Sequence, residues 1–201
     1  MTAPTDVRDR DPYDVDQFDL SESYRSDLDG VLIPANEIQE RVAEIARDVS
    51  AEHHGNDDFY PVCILKGAMR FFVDLNRGLE LDVPYREGIV HTTRYHGGVA
   101  SDTTQVQFFH EGAIAGRDVL LVEDIVDEGH TLSTLVDRIE EYDPRSVEIA
   151  ALFDKAENRQ VDVDVAYTGF VIPDEFVVGY GLDYDEKYRD LRHLGVVDTD
   201  A

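Results

Sequence analysis

Several things are scarce in this chain, and each scarcity excludes something. There is one cysteine, Cys63, so no internal disulfide framework can staple the fold. It lies in the apolar run Val62–Leu65, where an inert buried thiol is expected rather than a nucleophile. No apolar run approaches the roughly eighteen residues of a membrane-spanning helix. The opening MTAPTDVRDRDPYDVDQFDL has neither the basic start nor the apolar stretch of a secretory leader. With free thiol chemistry as well, a reducing cytoplasm is the expected location. Positive charge is the largest deficit. Lysine and arginine number 18 against 44 acidic residues, a net charge of −26, and only Lys66, Lys155 and Lys187 are lysines. Nucleic acid and anionic membranes would be repelled, so neither is expected as a partner. No G-x-x-x-x-G-K-[ST] loop is present. Apart from His96 and His130, the histidines, including His53 and His54, lack metal-ligand spacing and read as solvated.

What remains is an ordinary globular composition. A chain of 201 residues with 42% hydrophobic content suits one domain with a sizeable core. The Asp-rich, Lys-poor balance has two readings: adaptation to concentrated salt, which screens the repulsion, or an acidic protein from an arginine-biased genome. Residues 1–20 hold six aspartates and little apolar content, the pattern of a mobile acidic lead-in. Leu28, Val31, Leu32 and Ile33 mark a short strand or docking segment within 24–34. Ile38, Val42, Ile45 and Val49 recur at helical spacing and predict an amphipathic helix from Asn36 to about His53. Strands are predicted over 60–65, 89–95, 104–109, 146–153, 161–167 and 175–180, with a helix over 68–79. Strands alternating with helices indicate an α/β fold with a mainly parallel twisted sheet flanked by helices.

The segment VLLVEDIVDEGHTLSTLVDRI, residues 119–139, carries the most chemistry. Val119, Leu120, Leu121 and Val122 form the continuous apolar run of a parallel strand buried on both faces. Leu132, Leu135, Val136 and Ile139 then mark one face of a helix. Between them lie two acids and a Gly-containing loop. Ligands of open α/β sheets bind beyond the carboxyl ends of strands, and a helix N-terminus there favours an anion. Glu123 and Asp124 are acceptors suited to sugar hydroxyls or a hard cation. The peptide N–H groups of residues 128–131 are donors suited to phosphate. Together they indicate a phosphorylated ribose.

The segment resembles the phosphoribosyl-pyrophosphate motif of type I phosphoribosyltransferases, most closely that of the hypoxanthine-guanine branch. VCILKGAMRFFVDL (62–75) resembles that branch's pyrophosphate-side loop, and FVIPDEFVVGYGLDYDEKYRDLRHL (170–194) its purine-binding segment. The resemblance covers most of the chain. It implies a core over about 35–167 and a small hood from residues 21–34 and 168–201. Residues 21–201 would thus form one domain. It also implies a homo-oligomer, dimer or tetramer.

Residue roles follow from the same resemblance. Asp127 matches the acid/base aspartate that shares the proton on the purine's N7. Glu123 and Asp124 match the pair at the ribose hydroxyls, and Glu128, Gly129, His130 and Thr131 the cradle of the 5′-phosphate. Lys66 and Gly67 match the pyrophosphate loop, and Arg94 and Tyr95 the start of a mobile lid through His96 to Thr103. Lys155 matches the donor to the purine's 6-oxo group, Phe176 the stacking aromatic, and Val177 the backbone at the ring edge. Asp183 matches a magnesium and base-edge aspartate, Arg189 a pyrophosphate contact. Mg²⁺ is the implied cofactor, near Glu123, Asp124 and Asp183. Two positions depart from the commonest pattern. Glu128 stands where Ser or Thr is usual, so either its carboxylate turns outward or phosphate affinity is weakened. Arg94 stands where a Ser is usual, and its charge either aids pyrophosphate capture or is solvated. The implied reaction is purine-salvage transfer of a phosphoribosyl group from phosphoribosyl pyrophosphate to hypoxanthine, and also guanine. The alternatives are a xanthine-preferring relative and a non-catalytic regulator of the same fold.

Overall fold

The computed structural model describes residues 1–96, 99–108 and 113–197, the side chains of residues 93–106 and 108 excepted. The elements run β1 (Thr5–Asp6), α1 (Glu22–Asp27), β2 (Gly30–Ile33), α2 (Ala35–Glu52), β3 (Phe59–Leu65), α3 (Met69–Gly78), β4 (Gly88–His96) and β5 (Val99–Phe108). They continue with β6 (Asp118–Val126), α4 (His130–Glu140), β7 (Ser146–Asp154), β8 (Tyr167–Val171), β9 (Val177–Val178) and β10 (Leu194–Val196). Seven strands form one sheet in the order β1-β8-β7-β6-β3-β4-β5. Every pairing in it is parallel except β4 with β5.

The apolar run of β6 is explained by the layers on either side. Leu120 and Val122 pack with Ile38, Val42, Ile45 and Val49 of α2 and Phe71 and Leu75 of α3. Val119 and Leu121 pack on the other face with Leu132, Leu135 and Ile139 of α4. Alternate side chains of a strand point to opposite faces, so a strand covered on both must be apolar throughout. Each such buried side chain contributes about 1.5–3 kcal/mol.

The helices' placement also locates the ligand crevice. From β3 the chain crosses through α3 to β4, and from β6 it crosses through α4 to β7. The two crossovers leave in opposite directions on opposite faces. The carboxyl ends of the adjacent strands β3 and β6 therefore flank a topological switch point, where such folds bind ligands. A second sheet, β2-β10-β9, is antiparallel and draws on both ends of the chain. It covers a small core of Leu28, Val178 and Leu191.

Several local features differ from the sequence reading. β5 begins at Val99 rather than Thr104, because Ala100 and Val99 pair with Tyr95 and His96 of β4. The alternation Val161, Val163, Val165 does not make a strand. Val163 and Val165 pack on the core beneath α4, and the Val161 N–H goes to the Glu128 carbonyl at 3.1 Å, so alternation here reflects one-sided packing of a loop. Pairing with β7 starts only at Tyr167. Thr5 and Asp6 extend the sheet beside β8, with Val7 buried beneath. His53 is buried, not solvated: it lies against Phe59 with Nε2 2.9 Å from Glu148. Cys63 is buried as expected, and desolvation, with nearby acids, pushes its thiol up to about 12. No described helix is long and apolar enough to cross a membrane.

Candidate active site

β6 delivers Glu123 and Asp124 at the switch point, then Asp127 and the loop that opens α4. Thr92, Glu123, Asp127, Glu128, Gly129 and Thr131 contribute to the lining of a cavity of about 520 Å³ there. Gly129 caps α4 with φ of 91°, and a β-carbon would stand 2.7 Å from the Val161 carbonyl oxygen, so only glycine lets the loop approach this closely. The first N–H groups of α4 and the positive end of its dipole open onto this cavity. The half-buried Glu128 is tied to the loop after β7, its Oε1 accepting from the Gln160 amide at 3.0 Å. His130 Nε2 lies 3.2 Å from the Oε1 of the same Gln160.

The two acids at the strand end are held away from bulk water at an electrostatic cost. Burial and then the neighbouring Asp124 raise the Glu123 carboxyl well above the usual carboxylate range. Burial also pushes Asp124 up to about 6, against the Ile125 N–H, which donates to its Oδ1 at 2.8 Å. The Asp124 carboxylate lies directly on Gly67, where a β-carbon would fall 1.5 Å from Oδ2. The sequence needs glycine there because β3 and β6 are neighbours in the sheet.

On the β3 side, the Leu65–Lys66 peptide is cis. Lys66 Nζ pairs with Glu186 at 2.9 Å, and its charge holds that carboxyl below the usual range. Arg189 reaches Asp183 at 2.6 Å, Glu186 at 3.3 Å and the Gly181 carbonyl at 2.8 Å. The structure thus gathers Lys66, Asp183 and Arg189 beside Gly67, with Glu186 between the cations.

On the other side, the end of β7 adjoins the end of β6: the Lys155 N–H donates to the Val126 carbonyl at 2.9 Å. The nearly buried Lys155 ammonium lies 3.3 Å from Asp174. Asn158 donates to Asp174 at 2.6 Å and to Asp127 Oδ1 at 3.0 Å, which brings Lys155 and Asp127 into one network. Phe176 is 42% exposed, its ring edge-on to Tyr184 at 5.4 Å, while Val177 is buried in β9. The backbone of Arg94 and Tyr95 belongs to β4, but their side chains, like Gly97 and Gly98, lie outside the described residues. Asn158, Arg159, Asp174 and Glu186 went unread in the sequence. They are ordinary polar loop residues with no local spacing to mark them.

The donor set suits a hard cation that brings other ligands with it. Glu123 Oε2 is buried with no hydrogen-bond partner among the described residues, an unmet acceptor beside a second carboxylate. No three His, Cys, Asp or Glu side chains converge into a metal cage among those residues. Mg²⁺ commonly binds through one or two carboxylates, with phosphates and water completing its shell. Glu123, Asp124 and Asp183 are compatible with such an ion.

Comparison with known proteins agrees with this geometry. A family model described as "Phosphoribosyl transferase domain" matches residues 34–185. The hypoxanthine-guanine phosphoribosyltransferase of Mycobacterium avium is 40% identical over 185 residues, covering 89% of this chain and 90% of that protein. A crystal structure of a hypoxanthine phosphoribosyltransferase from Staphylococcus aureus superposes with a TM-score of 0.80 at 33% identity, over 90% of this chain and 97% of that one. The bifunctional protein TilS/HprT of Listeria innocua is 40% identical over 88% of this chain, which spans only 27% of that relative's length. By sequence, fold and the arrangement of its switch-point crevice, the chain belongs to the phosphoribosyltransferase family, alongside its hypoxanthine-guanine members.

Proposed function

We propose that this chain transfers the 5-phosphoribosyl group from phosphoribosyl pyrophosphate to hypoxanthine and guanine, releasing pyrophosphate. One observation carries the reading: a buried ammonium (Lys155) and a loop carboxylate (Asp127) share one network at the end of β6, across the crevice from Lys66 and Arg189. Charge at the sugar carbon develops in the transition state, so the protein's work is to position reactants and stabilise charge. The α4 N-terminus and Thr131 hold the 5′-phosphate. Glu123 and Asp124 accept from the ribose hydroxyls. Lys66 and Arg189 exchange Glu186 for pyrophosphate, a stronger partner for both cations. Glu123, Asp124 and Asp183 would hold Mg²⁺ together with the substrate, and it would there supply charge neutralisation of the pyrophosphate. Lys155 donates to the 6-oxo group, Phe176 stacks on the ring, Val177 meets its edge, and Asp127 takes or shares the N7 proton.

Lys155 decides the base. Adenine presents a second donor to this ammonium, leaving the hydrogen aimed at the base without an acceptor in a buried place, a cost of about 1–3 kcal/mol or more. Pyrophosphate release measured with hypoxanthine, guanine, xanthine and adenine should show turnover with the first two and none with adenine. Lys155→Met, which keeps most of the apolar stem and removes the charge, should lower kcat/KM for hypoxanthine by about a hundredfold. Turnover with none of the four bases would sink the reading and leave a regulator of the same fold. Preference for xanthine would reassign the base.

The lone buried thiol Cys63 and the repulsion of a −26 chain from polyanions support a cytoplasmic enzyme without nucleic-acid or membrane partners. We also read the acidic surface as salt-adapted. Its self-repulsion is screened as the Debye length falls to about 3 Å at 1 M salt. The melting temperature should therefore climb between dilute and molar KCl. A flat profile points instead to arginine-biased coding.

A further inference from the structure

The roles above leave the segment after Lys155 unexplained, yet four successive residues of it grip the two residues that open the α4 loop. Asn158 Nδ2 donates to Asp127 Oδ1 at 3.0 Å. Arg159 Nη1 donates to the Asp127 carbonyl at 2.6 Å, and its Nη2 reaches Asp154 Oδ1 at 2.8 Å. The Gln160 and Val161 N–H groups both donate to the Glu128 carbonyl, at 3.0 and 3.1 Å, and the Gln160 amide holds the Glu128 side chain. The Arg159–Asp154 pair is largely sheltered, with 18% and 13% of the side chains exposed, so that arm anchors the backbone firmly. The backbone of Asp127 is thereby fixed before its side chain is considered.

A carboxylate on a fixed backbone can still rotate about its side-chain bonds. Asn158 restricts that freedom by tying one oxygen, Oδ1, while Oδ2 has no partner among the described residues. Asn158 is itself steadied, because the second hydrogen of the same amide goes to Asp174 at 2.6 Å. Asp174 in turn lies 3.3 Å from the Lys155 ammonium. One neutral amide thus stands between the groups that face the two ends of the purine.

We propose that Asn158 is the positioning residue for Asp127: it holds one carboxylate oxygen so that the other is presented to the ring nitrogen, and it takes its own bearing from Asp174 in the base site. This rests on the assignment of Asp127 as the acid/base group and of Lys155 as the 6-oxo donor. A neutral donor suits the task, since it orients the carboxylate without neutralising it. Arg159 bonds the carbonyl and leaves the carboxylate to Asn158.

The test is a double-mutant cycle on the full chain, with steady-state turnover of hypoxanthine and separate measurement of nucleotide affinity. Asn158→Ala should lower kcat roughly ten- to a hundredfold, as expected when a bond that orients a reacting group is lost, with KM for both substrates and nucleotide Kd changed less than twofold. Asn158→Gln, which carries the same amide on a longer stem, should recover part of the loss. In an Asp127→Asn background, Asn158→Ala should cost nothing further, because nothing is left to position. Unchanged kcat in Asn158→Ala, or losses that simply multiply in the double variant, would overturn the inference. An Asp127→Asn single variant with normal turnover would instead refute the acid/base assignment beneath it. Matching melts for Asn158→Ala and wild type establish that folding is intact. A kcat loss that tracks a lowered melting temperature, with no recovery in Asn158→Gln, also counts against the positioning role.

Discussion

Asp127→Asn is expected to slow turnover by about 10²–10⁴, the usual contribution of a positioned acid or base. Nucleotide affinity should change by less than about threefold. The contrast follows from the geometry. Asparagine has the size of aspartate and keeps a carbonyl oxygen, so Asn158 can still donate to residue 127, and Arg159 still holds its backbone carbonyl. The loop that begins α4, and with it the row of N–H groups facing the cavity, should stay in place. What disappears is the negative charge and the ability to carry the ring-nitrogen proton. Because the barrier depends on those and ground-state binding depends mainly on the loop, the loss falls on kcat. Stopped-flow turnover with calorimetric titration of nucleotide separates the two. Equal losses in rate and affinity would mean that Asp127 is a structural turn residue.

The second large effect is on stability, with opposite sign. Asp124 is half-buried, and desolvation pushes its carboxyl up from 3.8 to about 6. Between those values Asp124 is more protonated in the folded protein than in the unfolded chain, so its contribution to stability falls as pH rises from about 4 to about 6 and levels off above. At about 1.4 kcal/mol per pH unit, the charged form costs the folded state about 3 kcal/mol, an upper figure because Glu123 shares the titration. Asp124→Asn removes the charge and keeps the acceptor for the Ile125 N–H. In urea unfolding with EDTA, the variant should be more stable than wild type by about 2–3 kcal/mol at pH 7.5. The gap should close towards pH 4, where both side chains are neutral. Carboxylates outside the pair titrate alike in the two proteins and cancel in the difference, while Glu123, relieved of its charged neighbour, ionises more readily in the variant. Turnover should fall at least tenfold, since an amide is a weaker acceptor for sugar hydroxyls and cannot counter a cation. Such opposed effects mark a residue kept for chemistry at the expense of the fold. A variant less stable than wild type at pH 7.5 would show that Asp124 is structurally satisfied and contradict this account.

The local patterns of the sequence carried well where one physical effect dominated. Ile38, Val42, Ile45 and Val49 all face the core from α2, and the helix bounds differ from the reading by one residue at each end. They failed where two effects share one pattern. The valines at 161, 163 and 165 alternate like a strand, yet they bury one side of a loop, whose backbone bonds go to Glu128 instead of a ladder. A burial pattern records which side chains leave water; it does not record where the N–H groups go. The start of β5 was lost for the complementary reason: residues 99–103, Val-Ala-Ser-Asp-Thr, are small or polar without alternation, and they become strand where β4 offers partners.

For the site, the strand, acids, glycine loop and helix over 119–139 were determined by the sequence itself, because each rests on contacts between near neighbours or on burial of a continuous apolar run. That Gly67 must lack a side chain was decided by the tertiary structure, which sets β3 beside β6 and lays Asp124 across it. The same holds for the bond from Gln160 to Glu128, thirty-two residues apart, and for the grip of Asn158 on Asp127, thirty-one residues away. Bonds of this kind join loops from different strands. Only the order and hand of the sheet decide which loops meet.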